Sequence, residues 1–295
     1  MISLRGIFPP IPTPFDPNEA IDLGRLEANL ARWNSWPLDG YVVAGSTGES
    51  VSLTGDERVE LVRAVRSAIP SKKLLIAGAG LESTRETVKL VNHMAEAGAD
   101  AVIVVTPSYF APSIGPDGLL AHYRSIAEAS SLPVILYSVP IYTHLDLPLE
   151  VVRELATHPK VIGIKESGGS LAKITSLVSQ TPADFQVLVG SAGLLLGALT
   201  VGAVGCIPAL GNLAGNQIHE LMTAFQRGDL TRAREIQAKL VEPNEILTVR
   251  FGVAGVKAAL DLVGFYGGSL RSPLRPLGEP ELAVLRDTLN RAGLI

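Results

Sequence analysis

Val161-Ile162-Gly163-Ile164-Lys165-Glu166-Ser167-Gly168-Gly169-Ser170 sets a lysine where a short apolar run gives way to a glycine-rich turn. Three of the four residues before the lysine are β-branched, the composition of a strand buried on both faces, and such strands belong to parallel sheets covered by helices. Burial in an apolar wall disfavours the charged form of an amine, and a neutral amine attacks ketones, so Lys165 reads as a Schiff-base nucleophile. The competing reading is an ordinary loop lysine paired with its neighbour Glu166. What surrounds the strand decides between them.

Outward from it, seven more runs of the same kind recur: Gly6–Ile11, Gly40–Val43, Leu74–Ala77, Ala101–Val105, Val134–Tyr137, Val187–Val189 and Ala203–Ile207. Between the runs lie Asp22–Trp36, Asp56–Ile69, Thr84–Ala97, Gly118–Ser130, Leu149–Ala156, Leu171–Ser179 and Gly193–Thr200, each with apolar residues at helical spacing. Thr54 with Glu57, and Ser83 with Glu86, have capping-box spacing. Eight β-then-α units in succession, with strands that do not alternate, predict a closed parallel barrel rather than an open sheet. The expectation is a TIM (β/α)8 barrel over residues 1–225 carrying the active site, followed by a helical region over 226–295. Breaks are expected in that region at Gly228, Pro243, Gly264–Gly268 and the proline-rich Arg271–Gly278. The open doubly wound alternative has only Gly78-Ala79-Gly80-Leu81-Glu82-Ser83 in its favour, which lacks the third glycine of a nucleotide loop and reads as well as a capped turn.

Composition limits what such a barrel serves. Of 295 residues, 47% are hydrophobic and 18% charged, enough for a full buried core and far from the profile of a disordered chain. A net charge of −4, a pI near 5.8 and no long run of lysine or arginine give no electrostatic footprint for nucleic acid or an anionic membrane. No apolar run approaches the ~18 residues of a bilayer span, and the first residues lack a basic-then-apolar leader, so an untargeted, cytoplasmic protein acting on small molecules is expected. Cys206, the only cysteine, sits among apolar neighbours and reads as core. His93, His122, His144, His158 and His219 show no ligand spacing with carboxylates or Cys206, so no metal is expected.

In a barrel of this kind the chemistry sits where the strands end. After the second strand comes Gly45-Ser46-Thr47-Gly48-Glu49-Ser50, a turn whose backbone N–H groups and two hydroxyls suit an anion. Thr106-Pro107-Ser108-Tyr109-Phe110 follows the fourth strand, and Tyr137-Ser138-Val139-Pro140 closes the fifth. A lysine, a tyrosine on the adjacent strand and an anion turn on one rim equip the protein for a 2-oxo acid: the turn takes the carboxylate, the lysine the ketone, and the phenol moves protons.

These motifs, with Gly-Ile-Lys-Glu-Ser at 163–167 and Gly-Ser-Ala-Gly at 190–193, resemble the dihydrodipicolinate synthase and N-acetylneuraminate lyase family of class I aldolases along essentially the whole chain. The resemblance implies that Lys165 forms the Schiff base, Tyr137 relays protons, and Ser46 and Thr47 hold the pyruvate carboxylate, Thr47 also linking to the relay. It implies that Tyr109 reaches into a neighbouring subunit's site in a homotetramer, and that Ile207 turns its backbone carbonyl to the ligand. The only partners implied are pyruvate and an aldehyde, without a cofactor.

One departure concerns the second substrate. Family members that make dihydrodipicolinate carry an arginine two residues after the proline of the tyrosine motif, and here that position is Tyr142. A tyrosine cannot make the charge-assisted, two-pronged contact of a guanidinium with a carboxylate. Gly6-Ile7-Phe8-Pro9-Pro10, Tyr137-Ser138-Val139-Pro140, Lys165-Glu166-Ser167-Gly168-Gly169, Asp184-Phe185-Gln186-Val187 and Phe265-Tyr266-Gly267-Gly268 together instead resemble the 4-hydroxy-2-oxoglutarate aldolase branch. In that branch the serine matching Ser167 belongs to the site; its other reading is a cap on the helix beginning near Leu171. The expectation is cleavage of a 4-hydroxy-2-oxo acid to pyruvate and glyoxylate. The alternatives are the dihydrodipicolinate synthase reaction, a sugar-acid aldolase or dehydratase, and a non-catalytic oxo-acid-binding protein.

Overall fold

The structure, a computed structural model, describes residues 2–295. Eight parallel strands make its centre: β1 (Gly6–Ile7), β2 (Gly40–Val43), β3 (Leu74–Gly78), β4 (Ala101–Val105), β5 (Val134–Ser138), β6 (Val161–Glu166), β7 (Gln186–Val189) and β8 (Gly205–Cys206). From β2 to β8 each strand pairs with the next in sequence, and β8 pairs with β1. Between β1 and β2 the circle closes on a short bridge, where Val42 N–H donates to Pro9 O and Ile11 N–H to Val42 O. Pro9 and Pro10 have no N–H to give a ladder, so β1 stops at Ile7 and its expected extension to Ile11 remains only as this bridge. The TIM barrel is therefore present.

Around the strands lie α1 (Leu23–Trp33), α2 (Gly55–Ala68), α3 (Thr84–Glu96), α4 (Pro116–Ala129), the single turn α5 (Pro140–Thr143), α6 (Leu149–Leu155), α7 (Leu171–Gln180) and α8 (Leu195–Thr200). Each barrel helix turns one stripe inward, as α1 does with Leu26, Leu30 and Trp33. The bore holds a separate cluster that includes Phe8, Val42, Ile76, Ile103, Ile135 and Leu188, so it is packed rather than hollow. Thr54 and Glu57 form the reciprocal capping box, whereas at Ser83 only the hydroxyl half of the box is made. Cys206 is fully buried, and burial pushes its thiol pKa up.

The chain ends in α9 (Gly211–Gln226), α10 (Leu230–Glu245), α11 (Gly252–Leu262) and α12 (Glu279–Arg291). Pro243 does not stop α10, contrary to expectation: the helix runs two residues further, then widens into a π-turn over Ile246–Arg250 that ends at Gly252 with φ 55°. A proline withholds one ladder N–H and crowds the turn before it, and α10 carries that local fault without ending.

The terminal region is bolted to the barrel through charge. Lys257 of α11 and Glu49, both almost fully buried, meet at 2.5 Å, and Lys257 also donates to Ser269 O at 2.6 Å. Arg271 grips both oxygens of Glu57 and holds that carboxyl pKa down at about 2. The Phe15 ring lies 4.5 Å from the Lys257 ammonium and 4.4 Å from the Arg271 guanidinium.

Removing one partner of a buried ion pair strands the other charge, at a cost of about 3–5 kcal/mol. Lys257→Met should lower the urea midpoint accordingly, and Lys257→Met with Glu49→Gln should recover most of the loss. His122 of α4 has Nδ1 2.8 Å from Thr84 Oγ1, and burial holds its pKa at about 4 against an ordinary 6.5. Between those values the unfolded chain takes up a proton that the native one refuses. The His122 contribution to stability is thus full above pH 6.5 and falls, by on the order of 3 kcal/mol, as pH drops to about 4. Denaturant titrations across that window should show the slope, and His122→Gln should flatten it.

Candidate active site

The nucleophile's position is set by an irregularity in β6. Val134 pairs with Val161, but the next pair is Ile135 with Gly163, so Ile162 is one residue extra. The slip changes which residues of β6 stand opposite β5, and it places Lys165 beside Tyr137. In an unbroken register Ile164 would occupy that place. Gly163 completes the device, because a Cβ there would come within 2.3 Å of Gln186 O on β7. Lys165 therefore sits inside β6 rather than in the turn after it.

Lys165 is 6% exposed, and its Nζ lies 4.0 Å from the centre of the Tyr137 ring. Among the described residues no carboxylate pairs with it. Glu166, its sequence neighbour, is fully buried and turns away: it meets Lys173 Nζ at 2.8 Å and accepts the Gly168 N–H at 2.5 Å. Lys173 also bonds Asp146, which in turn accepts from Ser138 Oγ. The loop-lysine reading fails on this geometry, since the acid meant to pair with Lys165 is already occupied.

Lys165, Tyr137, Ser46, Thr47, Ser167 and Ile207 line one cavity of about 340 Å³ at the ends of the strands. Among the described residues, Lys165 is the only charged side chain in its lining. In the turn after β2, the amides of Gly48, Glu49 and Ser50 are spent on carbonyls of Gly45 and Ser46, closing the turn on itself. The expected convergence of backbone donors thus narrows to Ser46 and Thr47. The turn ends at Glu49, held in the left-handed region at φ 55° by its bonds to Lys257 and to the Arg271 N–H. Thr47 and Tyr137 share the cavity without a direct hydrogen bond.

Tyr142 stands at the mouth on α5, half exposed, its hydroxyl 3.5 Å from Thr248 O, with burial and nearby Tyr137 raising its pKa. Ser167 does not cap α7; Ser170 does, accepting from Lys173 N–H, which leaves Ser167 facing the cavity. Tyr109 lies outside the cavity, 79% exposed, edge-on to Phe110. His144 is likewise absent from the lining.

Gly190 and Ser191, quoted above within a motif but given no role, border the cavity, as do Asn244 and Thr248, which sequence reading missed. A Cβ on Gly190 would collide with Ser167 Oγ at 1.9 Å and crowd Lys165 Cε at 3.3 Å, so the lysine stem needs a glycine beside it. Asn244 and Thr248 arrive from α10 and the π-turn, and only the proline at 243 hinted that this helix does something irregular.

The dihydrodipicolinate synthetase family model matches residues 3–292. A 4-hydroxy-tetrahydrodipicolinate synthase of Natronomonas pharaonis is 35% identical over 288 residues, covering 97% of each chain. The crystal structure of a dihydrodipicolinate synthase from Bacillus anthracis superposes with a TM-score of 0.95 at 34% identity, over 98% of this chain and 99% of that one. A prophage protein of the dihydrodipicolinic acid synthase family from E. coli K12, solved in complex with pyruvate, gives a TM-score of 0.94 at 28% identity over the whole of both chains. The chain belongs to the dihydrodipicolinate synthetase family and is an enzyme of its class I, pyruvate-dependent carbon–carbon lyase type.

Proposed function

We propose that the protein makes or breaks the bond between pyruvate and an aldehyde through an imine on Lys165. The observation that carries this is a buried lysine without a counter-ion, beside Tyr137 and in one cavity with the hydroxyls of Ser46 and Thr47. Unprotonated Lys165 Nζ attacks C2 of pyruvate, the ketone oxygen leaves as water, and a protonated imine remains. That cation draws electrons, so C3 gives up a proton and an enamine forms. The enamine carbon attacks the aldehyde carbon, and the aldehyde oxygen takes a proton through Tyr137. Water then hydrolyses the imine and frees the lysine. Cleavage of a 4-hydroxy-2-oxo acid runs the same steps in reverse. Ser46 and Thr47 hold the carboxylate, the carbonyl of Ile207 faces the ligand, and no cofactor takes part.

Two acceptors compete. The names of the relatives support aspartate semialdehyde and the synthase reaction, better than they support the glyoxylate-releasing aldolase. The second reading draws on Tyr142, which stands where a guanidinium would grip the semialdehyde carboxylate. Exposed Tyr109 and Phe110 support a second copy of the chain as partner, covering that face in a homotetramer.

Borohydride reduction in the presence of pyruvate should leave a pyruvyl adduct on Lys165, read by intact mass and peptide mapping. A folded protein with no adduct would falsify the Schiff-base reading. Tyr137→Phe should keep the adduct and lower turnover by about 10²–10⁴-fold. Product analysis with pyruvate plus aspartate semialdehyde, against pyruvate plus glyoxylate, separates the two acceptors.

A further inference from the structure

The rung beyond the reacting pair differs in chemistry from the rung before it. In the ladder between β5 and β6, Leu136 pairs with Ile164, Tyr137 with Lys165, and Ser138 with Glu166, the last residues of both strands. Successive side chains alternate faces, so Tyr137 and Lys165 turn into the cavity while the pairs on either side turn out toward the helices. Leu136 and Ile164 join the apolar layer there. Ser138 and Glu166 are just as fully buried, yet they are joined by a cation from α7. Lys173 Nζ meets Glu166 Oε2 at 2.8 Å and also bonds Asp146, whose Oδ1 accepts from Ser138 Oγ at 2.8 Å. Glu166 Oε1 takes the Gly168 N–H at 2.5 Å, and the Ser167 N–H donates to Ser138 O at 2.9 Å. One ammonium thus clips the two strand ends together and, through Glu166, holds the turn that brings Ser167 and Gly168 to the cavity.

A buried ion pair adds little net stability over apolar side chains of the same volume, so what this rung supplies is fixed geometry. Strand ends are where ladders open first, and two residues past Ser138 stands Pro140, which has no N–H to extend the pairing. We propose that Lys173 is a positioning residue: by tying Ser138 to Glu166 it holds Tyr137 against Lys165 while a proton moves at the imine. This rests on the Schiff-base reading above. In that step the electron pair of a C3–H bond becomes the C2–C3 double bond, and the π electrons of the protonated imine pass to its nitrogen. The Tyr137 hydroxyl relays the C3 proton, giving its own to water as it takes this one. Return of a deuteron to C3 reverses the step, so exchange of the pyruvate methyl protons in D2O reports it with no aldehyde present.

The test follows deuterium entering the pyruvate methyl group by proton NMR, beside borohydride trapping and a urea midpoint for each variant. Lys173→Met should still trap pyruvate on Lys165, with half-saturating pyruvate within threefold of wild type, while its maximal exchange rate falls at least tenfold. Lys173→Arg, whose guanidinium can bridge the same two acids, should exchange within threefold of wild type. Lys173→Met with Glu166→Gln removes the stranded charge, so the urea midpoint should recover and the exchange rate should not. Wild-type exchange in folded Lys173→Met overturns the proposal, and so does loss of trapping in that variant. An exchange rate that returns with stability in the double variant also overturns it, and this is the variant that decides if Lys173→Met does not fold. So does a wild type that traps pyruvate but never exchanges its methyl protons. A wild type that traps no pyruvate fails earlier, on the Schiff-base reading, and takes this proposal with it.

Discussion

One extra residue in β6 governs the rest of the site. A parallel strand has period two, so slipping its register by one residue exchanges which side chains face the bore. At Ile162 the slip delivers Lys165, rather than Ile164, to the position beside Tyr137. It is tolerated because Gly163, directly after it, gives β7 room to approach. The lysine is thus held on a strand whose neighbours on both sides are bonded, with little freedom to swing toward solvent. Preorganisation of this kind is what a nucleophile needs to meet a small ketone in one geometry.

Charge is sorted around that lysine with equal care. Glu166 is adjacent in sequence, yet it is committed to Lys173 on the other side of the strand. Glu49 ends the turn after β2, yet it is committed to Lys257 and the Arg271 amide. Both of these acids meet a cation that does not line the cavity. Neither acid forms an ion pair with Lys165. Paired outside the cavity, the same acids anchor the turn after β2 and the loop after β6.

The barrel was legible because its strands are buried on both faces, which leaves unmistakable β-branched runs, and because Thr54 and Ser83 mark helix starts in the local sequence. Lys165, Tyr137, Ser46 and Thr47 were legible for the same reason: each stands next to such a run, and the fold rule places chemistry there. What failed to show depends on contacts distant in sequence or on another chain. The shortening of β1 follows from what Pro10 cannot donate to Val42, its bridge partner on β2. The register slip at Ile162 leaves no local mark, since the residue is as apolar as those around it. Asn244 reaches Ser191 across 53 positions, from a helix whose turn after Pro243 no periodicity describes. Ser167 and Ser170 are equally plausible caps on paper; only the backbone path decides for Ser170.

The clamp on Glu49 also has a bearing on how the protein is made. The turn after β2 is synthesised early, but the amide that fixes Glu49 belongs to Arg271, 222 residues later. Closing a loop of that length comes late in folding, after nearer contacts have formed. The anchor of the turn that carries Ser46 and Thr47 is therefore completed only by the segment that follows α11.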